Sequence, residues 1–294
     1  RTMSLISFSR DKFIPSDEVS LTVRGNYLSV TRGYQVFTFF KTANNGVPVF
    51  LDDHIDRIVG NAHAMKMNLF FSKQDIKDLV HQTLEKNDFS NSECNVMIIF
   101  AGKAPDDISG LVSSQEVDLF IVTSPIKKYP KESYQNGISL GLYEFERIDA
   151  EVKTPYTYYG GMKAHRSLVH NGPFDEVLYT SKDEILEGTT FSFFIVKYGS
   201  VITSKLDGRI LGSVTRKNLL RIMDVQKIEH SESVISINDL KSSSEAFIAS
   251  ANRDLIPVVS VNGNQVGDGK IGPVYKKLMS LYQQEILKIG ISNK

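Results

Sequence analysis

The sequence predicts an α+β protein of two domains, and three observations carry that expectation. Stretches with strand character and stretches with helical periodicity fall into separate blocks in the N-terminal half. The 294 residues suffice for two domains of ordinary size. A charged segment, Lys127 to Gly137, with Pro125 ahead of it and Pro130 inside it, reads as their connector. The expected division is a smaller N-terminal domain over 1–126, a connector over 127–137 and a larger C-terminal domain over 138–294.

Up to about Phe40 the chain reads as strands. Residues 19–23, 27–30 and 36–40 are β-branched or aromatic and are punctuated by Gly25 and Gly33. Asn44-Asn45-Gly46 is a hairpin turn signal. A helix is expected from Asp52 or Asp53, acids suited to its positive end. Ile55, Ile58, Val59, Ala62 and Met65 form its apolar stripe, while His54, Arg57 and Asn61 share another flank. Ser72 followed by Asp75 is a form of capping box for a second helix, with Ile76, Leu79, Val80 and Leu84 inward. Strands over 95–100 and 117–123 follow, separated by a polar loop.

The second half is organised around Lys153 to Arg216. A lysine opens it in a run of tyrosines that ends at Gly160-Gly161, and a helix is expected over 162–170, stopped by Asn171-Gly172-Pro173. A strand over 174–179, an acidic turn at 182–184 and a loop holding Glu187 lead into an apolar strand over 191–196. Ile210 to Arg216 is a loop entering a helix. A short helical turn over 239–244, strands at 247–248 and 256–261, and an amphipathic helix over 274–287 close the chain.

Composition excludes several classes. Hydrophobic content of 41% and charged content of 23% are those of a globular protein. The 34 basic and 34 acidic side chains cancel, so no global field favours nucleic acid or an anionic membrane. No apolar run approaches the roughly 20 residues that span a bilayer, and the N-terminus lacks a signal-peptide core. The single cysteine, Cys94, excludes an intrachain disulfide and a thiolate metal cluster, and the six histidines lack ligand spacing, so no metal is expected. A cytoplasmic location is the expectation.

A lysine becomes a nucleophile only when its amine is neutral for part of the time. A partly buried site with aromatic walls favours that, and Tyr156, Tyr158 and Tyr159 are the candidates to line it around Lys153. Further on come Asp175-Glu176-Val177-Leu178, Glu187-Gly188-Thr189-Thr190, Ile210-Leu211-Gly212-Ser213-Val214-Thr215-Arg216, and Pro257-Val258-Val259-Ser260-Val261-Asn262-Gly263. This order resembles the class IV, or fold type IV, pyridoxal-phosphate enzymes: branched-chain and D-amino-acid aminotransferases and aminodeoxychorismate lyase.

The resemblance implies the two-domain fold of D-amino-acid aminotransferase, pyridoxal 5'-phosphate as cofactor, and a homodimer. It also implies a role for each matching residue. Lys153 forms the Schiff base with the cofactor and moves the proton between Cα and C4′. Tyr158 hydrogen-bonds the phenolic oxygen of the ring. Glu187 keeps the ring nitrogen protonated. Val214 and Thr215 offer backbone donors to the phosphate at a helix N-terminus, and Arg57, in the pattern His54-Ile55-Asp56-Arg57, grips it. In the second phosphate loop, Ala249 to Arg253, Ser250 stands for a glycine and Ala251 for a threonine; Ser250 or Asn252 replaces the missing donor. Thr38, Ser192 and Ser213 stand where the family has an acid, an asparagine and a glycine.

The implied reaction is amino transfer between an amino acid and a 2-oxo acid. Around Phe100-Ala101-Gly102 the chain has Lys103, Asp106 and Asp107 where D-amino-acid aminotransferases carry an arginine and a histidine for the substrate carboxylate. That disfavours a simple D-amino-acid aminotransferase. An aminodeoxychorismate lyase is the alternative on the same scaffold. A non-catalytic cofactor-binding protein is the third, and intact Lys153 and Glu187 argue against it.

Overall fold

A computed structural model of the protein describes residues 4–290. They form two compact units. The described residues of Arg1–Lys127, Val152–Tyr156 and Leu287–Lys294 make the first, and Lys128–Glu151 with Thr157–Ile286 make the second. The short stretch that carries Lys153 thus packs with the N-terminal part of the chain.

The first unit holds β1 (Ile6–Ser9), β2 (Lys12–Pro15), α1 (Tyr27–Arg32), β3 (Gln35–Ala43), β4 (Val47–Pro48), α2 (Leu51–Ala64), α3 (Lys73–Glu85), β5 (Cys94–Ala101) and β6 (Asp118–Pro125). Its antiparallel sheet runs β2-β1-β6-β5-β3-β4. Successive side chains of a strand face opposite ways, and both faces of β5 are apolar. Val96, Ile98 and Phe100 join Ile55 and Ile58 of α2 and Ile76 and Val80 of α3 in one core. Ile99 and Ala101 pack on the other face with Phe120 and Phe37.

The Asn44-Asn45-Gly46 turn joins β3 to β4, with all three residues at positive φ. Ser72 and Asp75 cap α3 reciprocally, as expected. The expectation of strands over 19–23 and 27–30 is overturned. Residues 19–23 form no strand, and Tyr27–Arg32 is helical. The acceptors come from elsewhere in the chain: the N–H groups of Leu28 and Ser29 donate to the carbonyls of Lys103 and Gly102, and Gly33 closes the helix at φ 70°. Those bonds and the burial of Leu28 outweigh the strand propensity of a short β-branched run.

The second unit contains α4 (Lys131–Asn136), β7 (Ile138–Glu144), α5 (Tyr159–His165), β8 (Glu176–Ser181), β9 (Glu184–Gly188), β10 (Ser192–Lys197), β11 (Ser200–Ser204), α6 (Val214–Val225), β12 (His230–Ser233), β13 (Ile235–Ser236), β14 (Glu245–Ser250), β15 (Asp254–Val261), β16 (Asn264–Gln265) and most of α7 (Pro273–Lys288). The sheet runs β12-β11-β10-β14-β15-β7-β8-β9-β13, with β16 added beside β15. Its core gathers Leu140, Leu178, Ile185, Phe193, Ile248 and Ile256.

Two expectations are corrected here, for Glu187 and for the start of α5. Glu187 lies in strand β9, not in a loop: the Lys182-Asp183 turn, with Lys182 at φ 54°, folds β9 back on β8 so that Gly188 pairs with Leu178. The segment read as a connector contains α4, tied down by the Tyr134 hydroxyl donating to the Arg253 carbonyl at 2.8 Å. Helix α5 begins at Tyr159, so Gly160 and Gly161 are inside it. The reason is close packing: a Cβ at Gly160 would lie 2.3 Å from the Phe145 ring, and one at Gly161 would lie 2.2 Å from the Tyr179 hydroxyl.

Candidate active site

In the first unit, Lys153 is held by its backbone. Its N–H donates to Asn61 Oδ1 at 2.9 Å, and its carbonyl accepts from the Phe37 N–H at 3.1 Å. The Nζ atom lies over the Phe37 ring, 4.8 Å from the centroid. Phe37 is thus an aromatic wall beside the amine, in addition to the tyrosines expected there. Of those, Tyr159 is exposed and takes Lys163 over its ring instead.

The polar flank of α2 is as much a part of this unit as its apolar stripe. His54 and Asn61 are buried. Arg57 Nη2 donates to Thr38 Oγ1 at 2.9 Å, and the same hydroxyl lies 2.7 Å from His54 Nδ1. Burial lowers the His54 pKa well below its ordinary value, and the charges of Arg57 and Lys153 push it the same way. The ring is neutral when folded and takes up a proton near pH 6.5 once unfolded. Its contribution to stability is complete above that pH and is lost as the pH falls toward the folded-state value. The unfolding free energy should thus decline below about pH 6.5, by up to ~1.4 kcal/mol per pH unit from this group. Urea titrations of the wild type and His54→Gln between pH 5 and 7.5 test this, and equal slopes in the two proteins would refute it.

In the second unit, Glu187 is buried on β9. Its Oε1 accepts from the Arg147 guanidinium and, at 3.1 Å, from the Leu211 N–H. Burial disfavours the charge on Arg147, but the Glu187 carboxylate outweighs it and the guanidinium pKa rises. Tyr158 and Tyr179 complete the cluster electrostatically, and burial pushes the Tyr179 phenol up to about 12. Arg147 escaped the sequence reading. Forty positions separate it from Glu187, and no local pattern marks an arginine as buried.

Helix α6 starts at Val214, and Ser213 caps it by accepting from the Arg216 N–H at 3.3 Å. Ser213 has φ −67°, so the glycine of the family pattern is not needed for backbone freedom. The first bond within the helix is from Lys217 to the Ser213 carbonyl, so the N–H groups of Val214 and Thr215 have no acceptor in the helix itself. The Thr215 side chain bonds the buried Tyr282 phenol.

In the loop from Ala249 to Arg253, where Ser250 or Asn252 is expected to serve as a donor, both side chains have protein partners. The Ser250 hydroxyl donates to Asn252 Oδ1 at 3.0 Å, and Asn252 Nδ2 donates to the Tyr129 phenol at 2.8 Å. Arg253 spans this loop and its neighbours, donating to Thr190 Oγ1 at 2.9 Å and to Glu176 Oε1 at 2.7 Å. The loop carries an internal network in place of the missing threonine.

Comparison with known proteins gives these residues their context. Residues 35–261 match the family model described as class IV amino-transferase. A D-alanine aminotransferase of Staphylococcus haemolyticus is 24% identical over 286 residues, covering 95% of this chain and 97% of the relative. A branched-chain-amino-acid aminotransferase of Pseudomonas aeruginosa is 24% identical over 245 residues, covering 81% and 78%. Among solved structures, the branched-chain aminotransferase of the archaeon Thermoproteus uzoniensis superposes with a TM-score of 0.87 at 20% identity, covering 98% of this chain and 96% of that one. The chain belongs to the class IV aminotransferase family. It is a transferase that uses pyridoxal phosphate and moves an amino group between an amino acid and a 2-oxo acid. No described helix is long and apolar enough to cross a membrane.

The residues present fit that cofactor. A phosphorylated pyridine aldehyde calls for an amine, an anionic partner for the ring nitrogen and donors for the phosphate. Lys153 is such an amine, and Glu187 is a buried carboxylate paired with Arg147. The α6 N-terminus and the Arg57 guanidinium supply donors of the right sign. Arg147 Nε is a further buried donor with no hydrogen-bond partner among the described residues.

Proposed function

We propose that Arg57, Lys153, Tyr158, Glu187, Val214 and Thr215 together serve one pyridoxal phosphate. When bound, the cofactor supplies the electron sink for the negative charge left at the substrate Cα. Lys153 Nζ would hold the cofactor covalently, with loss of water, until the substrate amine displaces it, and the amine so freed would take the Cα proton and return one at C4′. The Phe37 ring beside Nζ gives the amine an aromatic wall. Glu187 holds a proton on the ring nitrogen, and Tyr158 orients the ring through its phenolic oxygen. Val214, Thr215 and Arg57 hold the phosphate, while Ser250 and Asn252 shape the loop beside it. The observation that carries this reading is the buried Glu187–Arg147 pair, since a buried carboxylate is retained as an anion only with such a partner.

The substrate reading follows from the loop after β5. Lys103 Nζ is 3.6 Å from Asp118, Asp106 accepts from the Ser114 N–H, and Asp107 accepts from the Ser109 N–H. These side chains serve their own surroundings, and this loop has no arginine or histidine for a substrate carboxylate. We therefore favour a substrate other than D-alanine. The test incubates the enzyme with a panel of ¹⁵N-labelled D- and L-amino acids and 2-oxoglutarate. Label in glutamate from amino acids other than D-alanine supports the reading, label from D-alanine alone overturns it, and release of pyruvate from aminodeoxychorismate without transfer would replace it by the lyase.

We also infer a cytoplasmic homodimer. Tyr159 and Met162 are exposed one turn apart on α5, an apolar pair that a second copy would cover. Sedimentation at twice the chain mass is the expected result, and a monomer at micromolar concentration would refute it. Arg57→Ala should weaken cofactor binding more than it slows the saturated enzyme. Losing a charge-assisted contact costs ~1.5–3 kcal/mol, roughly tenfold or more in Kd. Equal cofactor dissociation with and without the side chain would make Arg57 a structural charge.

A further inference from the structure

The hydroxyl of Thr38 is buried and has two partners, Arg57 Nη2 at 2.9 Å and His54 Nδ1 at 2.7 Å. A guanidinium only donates, so Thr38 Oγ1 accepts from Arg57. Among the described residues the hydroxyl hydrogen then has one acceptor within reach, His54 Nδ1, which accepts only when the proton of the neutral ring is on Nε2. The opposite arrangement would leave the hydroxyl hydrogen without an acceptor in a side chain closed to water. His54 is itself immobilised, buried on α2 with its ring 5.1 Å from that of Phe40. The relay therefore runs from a fixed imidazole on α2, through a hydroxyl on β3, to the guanidinium.

We propose that Thr38 is a positioning residue for Arg57, orienting its guanidinium toward the cofactor phosphate through the relay His54–Thr38–Arg57. Two features of the relay make this a functional arrangement and not only a packing contact. It fixes the plane of a side chain that otherwise has several rotatable bonds, and a preorganised donor loses less freedom when an anion arrives. It does so with a hydroxyl and an uncharged imidazole, whereas a carboxylate at residue 38, the residue type of the family pattern, would neutralise part of the charge. The inference rests on Arg57 as the phosphate ligand, and its test separates the two ideas.

The experiment measures the equilibrium binding of pyridoxal phosphate to apoprotein for the wild type, Thr38→Ser, Thr38→Val, Arg57→Ala and the double variant Thr38→Val/Arg57→Ala. Thr38→Val should raise Kd by roughly tenfold, with Thr38→Ser close to wild type because it keeps the hydroxyl. Added to Arg57→Ala, Thr38→Val should change Kd no further, because the residue acts through the arginine. Wild-type binding by Thr38→Val, or an additive effect in the double variant, overturns the relay while leaving Arg57 as a ligand. Wild-type binding by Arg57→Ala overturns both. Should the valine variant fail to fold, ¹⁵N NMR of the wild-type protein decides: the Nε2–H tautomer of His54 is expected, and the Nδ1–H tautomer refutes the relay.

Discussion

Lys153→Ala is expected to abolish nearly all turnover while the protein remains folded. Covalent capture of the cofactor and proton transfer share one amine, and losing a positioned acid–base group alone costs roughly 10²–10⁴-fold in rate. The fold should survive because Lys153 is anchored by its N–H and carbonyl, to Asn61 and Phe37, and alanine keeps both bonds. The contact of the side chain with the Phe37 ring contributes about 0.5–1 kcal/mol at such a site. Steady-state kinetics, the visible absorbance of the lysine-bound cofactor and thermal unfolding test the three parts of this expectation. Turnover unchanged from wild type would remove Lys153 from the mechanism.

Glu187→Gln should have the second-largest effect, and the structure gives it two separable components. If the carboxylate holds the proton on the ring nitrogen, the amide weakens the electron sink and removal of the Cα proton slows by orders of magnitude. Covalent capture of the cofactor by Lys153 should persist, because that step needs no sink. The second component is stability: the substitution strands the buried guanidinium of Arg147, and breaking such a pair from one side costs about 3–5 kcal/mol. The double variant Glu187→Gln/Arg147→Gln removes the stranded charge and separates the two. Stopped-flow measurements with a Cα-deuterated amino acid should show a slow step with a large isotope effect in both variants. Recovery of wild-type rates in the double variant would mean that Glu187 matters only as the partner of Arg147.

The features legible in the sequence are those set by short stretches of chain. The apolar stripe of α2, the Ser72 cap of α3 and the turn at Asn44-Asn45-Gly46 are each determined within about a dozen residues, and all three are present. The ordered motifs from Lys153 to Gly263 likewise carried the family and its cofactor. What escaped depends on partners remote in sequence. Residues 27–32 have strand propensity but form a helix because the carbonyls of Gly102 and Lys103 receive their N–H groups. Gly160 and Gly161 read as a helix boundary, yet they sit inside α5 because Phe145 and Tyr179 leave no room for a side chain. Arg147 looks like any charged residue near a lysine until the sheet brings Glu187 to it. Thr38 read as a loss of charge from a familiar pattern. Only the packing of α2 on β3 makes its hydroxyl the junction of His54 and Arg57, since a hydrogen bond between elements needs both backbones in place before either side chain has a partner.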